Sequence, residues 1–307
     1  MTGTCGHPEP GDVRPRGEFD FAEPTSLEEA LSLLSAHPRD AVVLAGGTDL
    51  LRSLRHGQSR PSLVISILRL PELTGIREAD DGLEIGALTT MHALARDPRI
   101  LAHYPALAAA AAQVGSPQVR NRATIGGNLC NASPCADTAG PVHVDDAEAV
   151  LRSAAGERRV PISAFMTGPG QTILGPGEVL VSIVLPRPPA RTGSAFVALG
   201  HRKALEISVV SATARVTLAA SGEVETVRVC LGSVAPTPVL ARSVEAALVG
   251  RAPSADDIAA AARAAAGDCS PIDDLRAGAA YRRSMIEVLT RRVLEGALAM
   301  AGGGPAS

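Results

Sequence analysis

The sequence of residues 41–51 is AVVLAGGTDLL, an apolar run that stops at two glycines and is followed by a polar pair. The unbroken apolar run predicts a buried strand of a parallel sheet, because such strands are covered on both faces. Consecutive glycines permit positive φ and close backbone approach. Successive N–H groups of such a turn can point into one concavity and bind phosphate, although an ordinary tight turn explains the segment equally simply.

A second glycine pair occurs in residues 124–128, TIGGN, which we interpret as a loop after the polar stretch 118–122. Neither pair is followed by the Lys-Ser/Thr of a P-loop, and neither fits G-x-G-x-x-G. Two such loops in neighbouring units fit a dinucleotide whose pyrophosphate lies between the units. Asp137, shortly after the second pair, is a candidate acceptor for ribose or adenine hydrogen bonds, with a turn or a helix cap as the alternative.

The length of 307 residues favours two domains. A Gly- and Pro-rich stretch at 1–17 predicts a disordered tail. Residues 18–70 fit a β-α-β unit whose helix is capped by Ser26, with Glu29 reaching back. The rest divides into a second unit at 71–190 with a hairpin at 149–161, a linker at 186–190, and an α+β unit at 191–302 with antiparallel strands at 207–219 and 224–234.

The last helix carries an apolar stripe with arginines beside it. The stripe is Tyr281, Met285, Leu289 and Val293. The neighbouring arginines, which we interpret as a solvated face, are Arg282, Arg283, Arg291 and Arg292.

Composition excludes several classes of function. The net charge is −3 and only 2% of residues are aromatic, so neither an electrostatic nor a stacking surface for nucleic acid is expected. No apolar run is long enough for a membrane span, and residues 1–18 lack the apolar core of a secretory signal. Five cysteines without a disulfide framework suit a reducing cytoplasm.

The sequence contains no recognisable catalytic or metal-binding set. Cys130 and Cys135 lack further ligands at metal-site spacing, so we expect two small buried thiols. The acidic residues Asp145, Asp146 and Glu148 are typical of a solvated strand entry. We therefore predict no catalytic residue and no metal ligand, in a chain that holds a cofactor which does the chemistry.

The two glycine segments, together with Ala132-Ser133-Pro134-x-x-Asp137, resemble the FAD-binding medium subunit of molybdenum hydroxylases, the family of xanthine dehydrogenase and aerobic carbon monoxide dehydrogenase. The resemblance extends from about Phe19 to about Met300. It implies an α+β fold with a two-part FAD-binding domain of the PCMH (vanillyl-alcohol-oxidase) type at 18–190, with subdomains at 18–70 and 71–190. A C-terminal α+β domain of the carbon monoxide dehydrogenase flavoprotein type follows at 191–302.

The resemblance also implies a cofactor, partners and site residues. FAD would pass electrons to NAD or another acceptor, while a large partner subunit holds molybdopterin and a small one holds [2Fe–2S] clusters. Relatives often carry a lysine near Val197 and Ala198; here the nearest is Lys203. The residues that match cofactor contacts of the family are Ala45, Gly46, Gly47, Thr48, Asp49, Thr124, Ile125, Gly126, Gly127, Asn128, Asp137 and Leu180.

Two alternatives to an electron-transfer subunit remain at this point. One is a self-contained flavin-dependent oxidase with its own substrate pocket, for which Tyr104 and Tyr281 would be the only tyrosines available. The other is a scaffold subunit that has lost its cofactor, against which the intact glycine pairs and Asp137 argue.

Overall fold

The chain begins with a small parallel sheet. The computed structural model describes residues 18–202 and 204–303, so the predicted tail at 1–17 and Lys203 lie outside the described residues. Strands β1 (Asp20–Ala22), β2 (Ala41–Leu44) and β3 (Leu63–Ser66) pair in the order β1-β3-β2, all parallel. Helix α1 (Leu27–Ala36) connects β1 to β2, and α2 (Leu50–Arg55) connects β2 to β3.

The predicted β-α-β unit is confirmed, with two corrections. Strand β2 lies at the sheet edge and is only half-buried, so the expected burial on both faces was wrong. The Ser26 hydroxyl caps α1 by accepting from Glu29 N at 3.2 Å, as predicted. The Glu29 carboxylate, however, accepts from Thr25 N at 2.8 Å, one residue before the expected partner.

A five-stranded antiparallel sheet follows, in the order β4-β5-β10-β6-β7. One of its faces packs with α1 and the small parallel sheet in a shared apolar core. The other face packs against short helices in a second core. The strands are β4 (Ile76–Ala79), β5 (Gly82–Gly86), β6 (Glu148–Ser153), β7 (Gly156–Pro161) and β10 (Val179–Pro186), with a separate hairpin of β8 (Met166–Gly168) and β9 (Gln171–Thr172).

The connection from β5 to β6 consists largely of short helices, because prolines and capping side chains repeatedly begin a new helix there. Ser116, Thr90 and Asp97 each accept a backbone hydrogen bond at a helix start. The helices are α3 (Met91–Leu94), α4 (Pro98–His103), α5 (Pro105–Gln113), α6 (Pro117–Arg120), α7 (Ile125–Cys130) and α8 (Ala139–Val144).

The C-terminal sheet is antiparallel in the order β11-β12-β13-β14. The predicted long hairpin is confirmed, with its first strand beginning at Val210. One face packs on the last three helices, and the other contacts α5 and α8, where Phe196 packs against Ala106 and Ala110. The elements are β11 (Thr192–Leu199), β12 (Val210–Leu218), β13 (Val224–Gly232), β14 (Val239–Leu240), α9 (Arg242–Leu248), α10 (Ala255–Ala265) and α11 (Ala279–Ala301).

The last helix corrects the predicted stripe. Leu289 and Val293 are buried as expected, but Tyr281 is exposed and Met285 is half-buried. Arg282 is buried, so the solvated face that we predicted for it was wrong. The buried guanidinium finds acceptors on Val209 and Ser233, which are distant in sequence, and on Asp274.

Candidate active-site region at the glycine segments

The first glycine segment forms the turn between β2 and α2. Gly47 has φ +77°, a left-handed conformation that glycine adopts without strain. Within the described chain, the N–H groups of Gly46, Gly47, Thr48 and Asp49 donate no hydrogen bond. The side chains of Thr48 and Asp49 are exposed, and Asp49 does not cap α2. The turn therefore presents consecutive free donors of the kind that bind an anionic group.

The second glycine segment is the first turn of α7, not a loop, because Thr124 starts a helix there. The Thr124 hydroxyl accepts from Gly127 N at 3.1 Å. The N–H groups of Ile125 and Gly126 donate to carbonyls of Thr89 and Ala87 at 3.0 and 2.9 Å, and Asn128 N donates to Thr124 O at 3.0 Å. The expected cluster of free N–H donors is thus absent from residues 125–128.

The two glycines of this turn differ in their surroundings. A Cβ on Gly126 would lie 2.7 Å from the carbonyl oxygen of Ala87, so this glycine is required by packing against the protein itself. A Cβ on Gly127 would approach only the Thr124 hydroxyl, at 3.0 Å, among the described atoms. Apart from that hydroxyl, no described atom lies within 4 Å of this position, which leaves room for a ligand beside Gly127.

The structure brings the two glycine segments together. Gly46 packs so closely on the chain before α7 that a Cβ there would collide with the carbonyl oxygen of Arg122 and lie 2.7 Å from its carbonyl carbon. Only glycine permits this approach. The free N–H row of the first segment consequently lies beside the start of α7.

Asp137 lies between α7 and α8 and is half-buried. The Ser208 hydroxyl donates to its Oδ1 at 3.3 Å. Burial raises the pKa of Asp137 to about 6, although the hydrogen bond from Ser208 opposes this change. Ser208 belongs to the connection from β11 to β12, so the C-terminal sheet helps to hold this carboxylate. The sequence analysis missed Ser208, since nothing local marks it.

The remaining candidate residues have structural roles in this chain. Asn128 Oδ1 accepts from the Thr138 hydroxyl at 2.6 Å, which ties α7 to the start of α8. Ile125 and Leu180 are core residues, and Leu180 pairs with Leu151 across β10 and β6. Ala45 is half-buried at the end of β2. A cofactor contact of Leu180 stays a prediction.

The donors and acceptors present fit FAD. Gly46 to Asp49 offer several free N–H groups, the kind of donor that a pyrophosphate needs. Asp137 offers an acceptor of the kind that a ribose hydroxyl needs, and there is room beside the backbone at Gly127. The fit rests on the unpaired N–H groups, on the room beside Gly127 and on the Asp137 carboxylate, which also accepts from Ser208.

Other groups with possible chemistry have structural partners. The Cys130 thiol is buried as expected, and burial raises its pKa to about 12, whereas Cys135 is only half-buried. The Cys135 sulfur lies 2.9 Å from the Ser133 hydroxyl. Among residues 18–202 and 204–303, no group of three or more His, Cys, Asp or Glu could hold a metal ion. In the same residues, no helix is sufficiently long and apolar to span a membrane.

Two acidic residues after α8 form ion pairs with arginines of the C-terminal sheet. Asp145 is buried, and its Oδ1 lies 3.8 Å from Arg215 of β12. Asp146 pairs with Arg228 of β13 at 2.6 Å. The solvated strand entry that we predicted is therefore wrong for Asp145.

Comparison with known proteins identifies relatives along nearly the whole chain. Residues 17–188 match the family described as the FAD binding domain in molybdopterin dehydrogenase. Residues 195–297 match the CO dehydrogenase flavoprotein C-terminal domain. The xanthine dehydrogenase FAD-binding subunit of Escherichia coli O157:H7 is 37% identical over 290 residues, which cover 93% of this chain and 99% of that protein.

Solved structures agree with these sequence matches. Carbon monoxide dehydrogenase from Hydrogenophaga pseudoflava, in a form lacking the Mo-pyranopterin moiety of its molybdenum cofactor, superposes with a TM-score of 0.89 at 36% identity, covering 93% of this chain and 99% of that chain. Quinoline 2-oxidoreductase from Pseudomonas putida 86 gives a TM-score of 0.87 at 30% identity, with 92% and 98% covered.

Proposed function

This chain belongs to the family of FAD-binding medium subunits of xanthine dehydrogenase and carbon monoxide dehydrogenase, and we propose that it relays electrons from [2Fe–2S] clusters of a partner subunit to NAD or another acceptor. It has an FAD-binding domain followed by a C-terminal domain, and is an oxidoreductase subunit. We assign these domains to 18–190 and 191–302. Bound FAD supplies the redox chemistry at its isoalloxazine ring.

The observation that carries the proposal is the row of free N–H groups in the first glycine segment, beside the start of α7. In the proposed complex, the donors of Gly46 to Asp49 bind the pyrophosphate. Gly127 lets the cofactor approach the backbone, and Asp137 accepts from the adenosine half. This chain orients the cofactor and shields it from water, and its residues transfer no proton in the proposed relay.

The proposed partners are a large molybdopterin subunit and a small [2Fe–2S] subunit. Substrate oxidation would occur in the large subunit, so the organic substrate depends on that protein. We expect the [2Fe–2S] subunit to contact the surface around Gly126 to Ser133. That segment is polar where it is exposed, so Leu51 of α2, which is 53% exposed, is a better apolar contact.

The geometry disfavours a self-contained oxidase. Tyr104, one of the two tyrosines in the sequence, is buried, and its hydroxyl donates to the carbonyl of Pro186 at 2.9 Å. Burial raises its pKa to about 12. Tyr104 is thus a core residue with no access to a substrate, which leaves Tyr281 on α11 as the only exposed tyrosine in the described chain.

The test is Gly46→Ala, with Gly267→Ala as the matched control. A Cβ at position 46 collides with the Arg122 carbonyl, whereas a Cβ at 267 meets nothing within 4 Å. We expect the Gly46 variant to lose bound flavin while its far-UV circular dichroism stays native, and the Gly267 variant to keep it. Flavin released by heat should elute as FAD from a chromatography column. Stoichiometric FMN, or full FAD occupancy in the folded Gly46 variant, would refute the proposed site.

A further inference from the structure

Arg282 is a buried cation that joins three separate segments. It lies in the first turn of α11, with 3% of its surface exposed. Its guanidinium donates to the carbonyls of Val209 and Ser233 and to Asp274 Oδ1, the last two at 2.9 and 2.7 Å. Burial opposes ionisation of Asp274, but hydrogen bonds from backbone N–H groups and from Arg282 lower its pKa to about 2. The charge pair is therefore maintained throughout the physiological pH range.

One carbonyl acceptor of Arg282 belongs to Ser233, and the other belongs to the residue after Ser208; both serines bond to the segment from Pro134 to Asp137. Ser233 N donates to Pro134 O at 2.8 Å. The Ser233 hydroxyl donates to Ser208 O at 2.9 Å, and the Ser208 hydroxyl donates to Asp137 Oδ1 at 3.3 Å. Val209 directly follows Ser208. A continuous set of hydrogen bonds thus connects Arg282 to the Asp137 carboxylate.

The backbone at Ser233 needs external support. Ser233 has φ +62°, a left-handed conformation that is strained for a residue with a Cβ. Such a conformation persists when surrounding interactions hold it. The bonds from Ser233 N to Pro134 and from Arg282 to the Ser233 carbonyl hold both of its peptide groups.

We propose that Arg282 is a positioning residue for Asp137, which orients that carboxylate toward the adenosine half of the cofactor. The inference rests on the proposed FAD function. A planar guanidinium serves three acceptors in fixed directions, which a lysine ammonium in the same place does not reproduce. Loss of Arg282 releases Val209 and Ser233, and with them the hydroxyl of Ser208 and the orientation of Asp137.

The test compares Arg282→Lys with Arg283→Lys in the full-length chain stripped of flavin. Arg283 is the exposed neighbour on the same helix, so its replacement controls for a lost arginine. Titration with FAD should show affinity about tenfold weaker for the Arg282 variant, the size expected for one poorly oriented hydrogen bond to a charged group. The Arg283 variant should bind FAD as the wild type does. Titration with FMN, which lacks the adenosine half, should not distinguish the three proteins.

A double mutant separates positioning from general loss of structure. Asp137→Asn alone should weaken FAD binding, and adding it to Arg282→Lys should weaken binding no further, because both changes disable one interaction. Fully additive effects, or wild-type affinity in the Arg282 variant, would overturn the inference. If the Arg282 variant fails to fold, Asp274→Asn replaces it in the same titrations, because Asp274 holds the Arg282 guanidinium. We expect this variant to bind FAD more weakly than the wild type does. A wild-type chain that binds no FAD would instead refute the proposed function.

Discussion

Replacing Asp145 with Asn should remove a pH dependence of stability that one buried carboxylate imposes. Asp145 is 2% exposed, and within the described chain its Oδ2 has no hydrogen-bond partner. Arg215, 3.8 Å from Oδ1, is the nearest cation, while the Asp146 carboxylate adds repulsion. Burial outweighs the attraction to Arg215 and raises the pKa of Asp145 from 3.8 to about 7.

The magnitude follows from that difference in pKa. At about 1.4 kcal/mol per pKa unit, a rise from 3.8 to about 7 corresponds to about 4 kcal/mol. Between these pH values the folded protein retains a proton that the unfolded chain has released. The free energy of unfolding therefore falls as pH rises from about 4 to about 7, and this contribution is constant above pH 7. Asn carries no charge at any pH, so the free energy of unfolding of the variant does not fall in this way as pH rises.

The assay is thermal unfolding of the wild type, Asp145→Asn and Glu157→Gln at pH 5, 6, 7 and 8. Glu157 is an exposed carboxylate on β7 and serves as the control. The midpoint of the Asp145 variant should rise relative to the wild type between pH 5 and 7, and the difference should change little further at pH 8. A difference that stays constant across this range, or that falls as pH rises, would refute the reasoning.

Three further expectations concern the cofactor. FAD affinity should fall as pH drops through about 6, where Asp137 gains a proton and loses acceptor strength, and Asp137→Asn should flatten this profile in titrations at pH 5 and 7.5. Gly127→Val should abolish flavin binding with native circular dichroism, because the new side chain occupies the room beside the first turn of α7; full flavin occupancy would show that this room is not part of the cofactor site. The isolated chain should not oxidise purines, aldehydes or N-heterocycles, although slow dye-linked NADH oxidation is expected. Turnover by pure, metal-free protein would favour the self-contained oxidase.

Many of the elements could be predicted correctly from short-range sequence patterns. Ser26 caps its helix as predicted, and a second local cap, at Ser254, is completed by Asp257. The hairpin of β6 and β7 was also predictable, since its turn residues lie between two strand patterns. These features depend on interactions between residues a few positions apart, and that range is visible in a sequence.

The errors concern residues whose partners are distant in sequence. The residues next to Arg282 and Asp145 in the sequence are typical of solvent-exposed charges. In the fold both side chains are buried, where Arg282 contacts Val209 and Asp145 contacts Arg215. The glycine pair at 46–47 was recognised as a site of close approach. Its partner, the Arg122 carbonyl, became evident only once the two segments were folded together. Thr124 is a residue type that commonly caps helices, and our interpretation of this segment as a loop overlooked it.

Helices of the FAD-binding domain cover one face of the C-terminal sheet, which matters for any attempt to express the two domains separately. One side of the C-terminal sheet is covered by α5 and α8 of the FAD-binding domain, with Phe196 packed on Ala106 and Ala110. The connection at 187–190 is largely exposed. Two fragments split at this connection and expressed together should reassemble without a peptide bond between them, whereas either fragment alone would expose an apolar surface. A domain exchange with a relative therefore has to carry the matching helices along with the sheet.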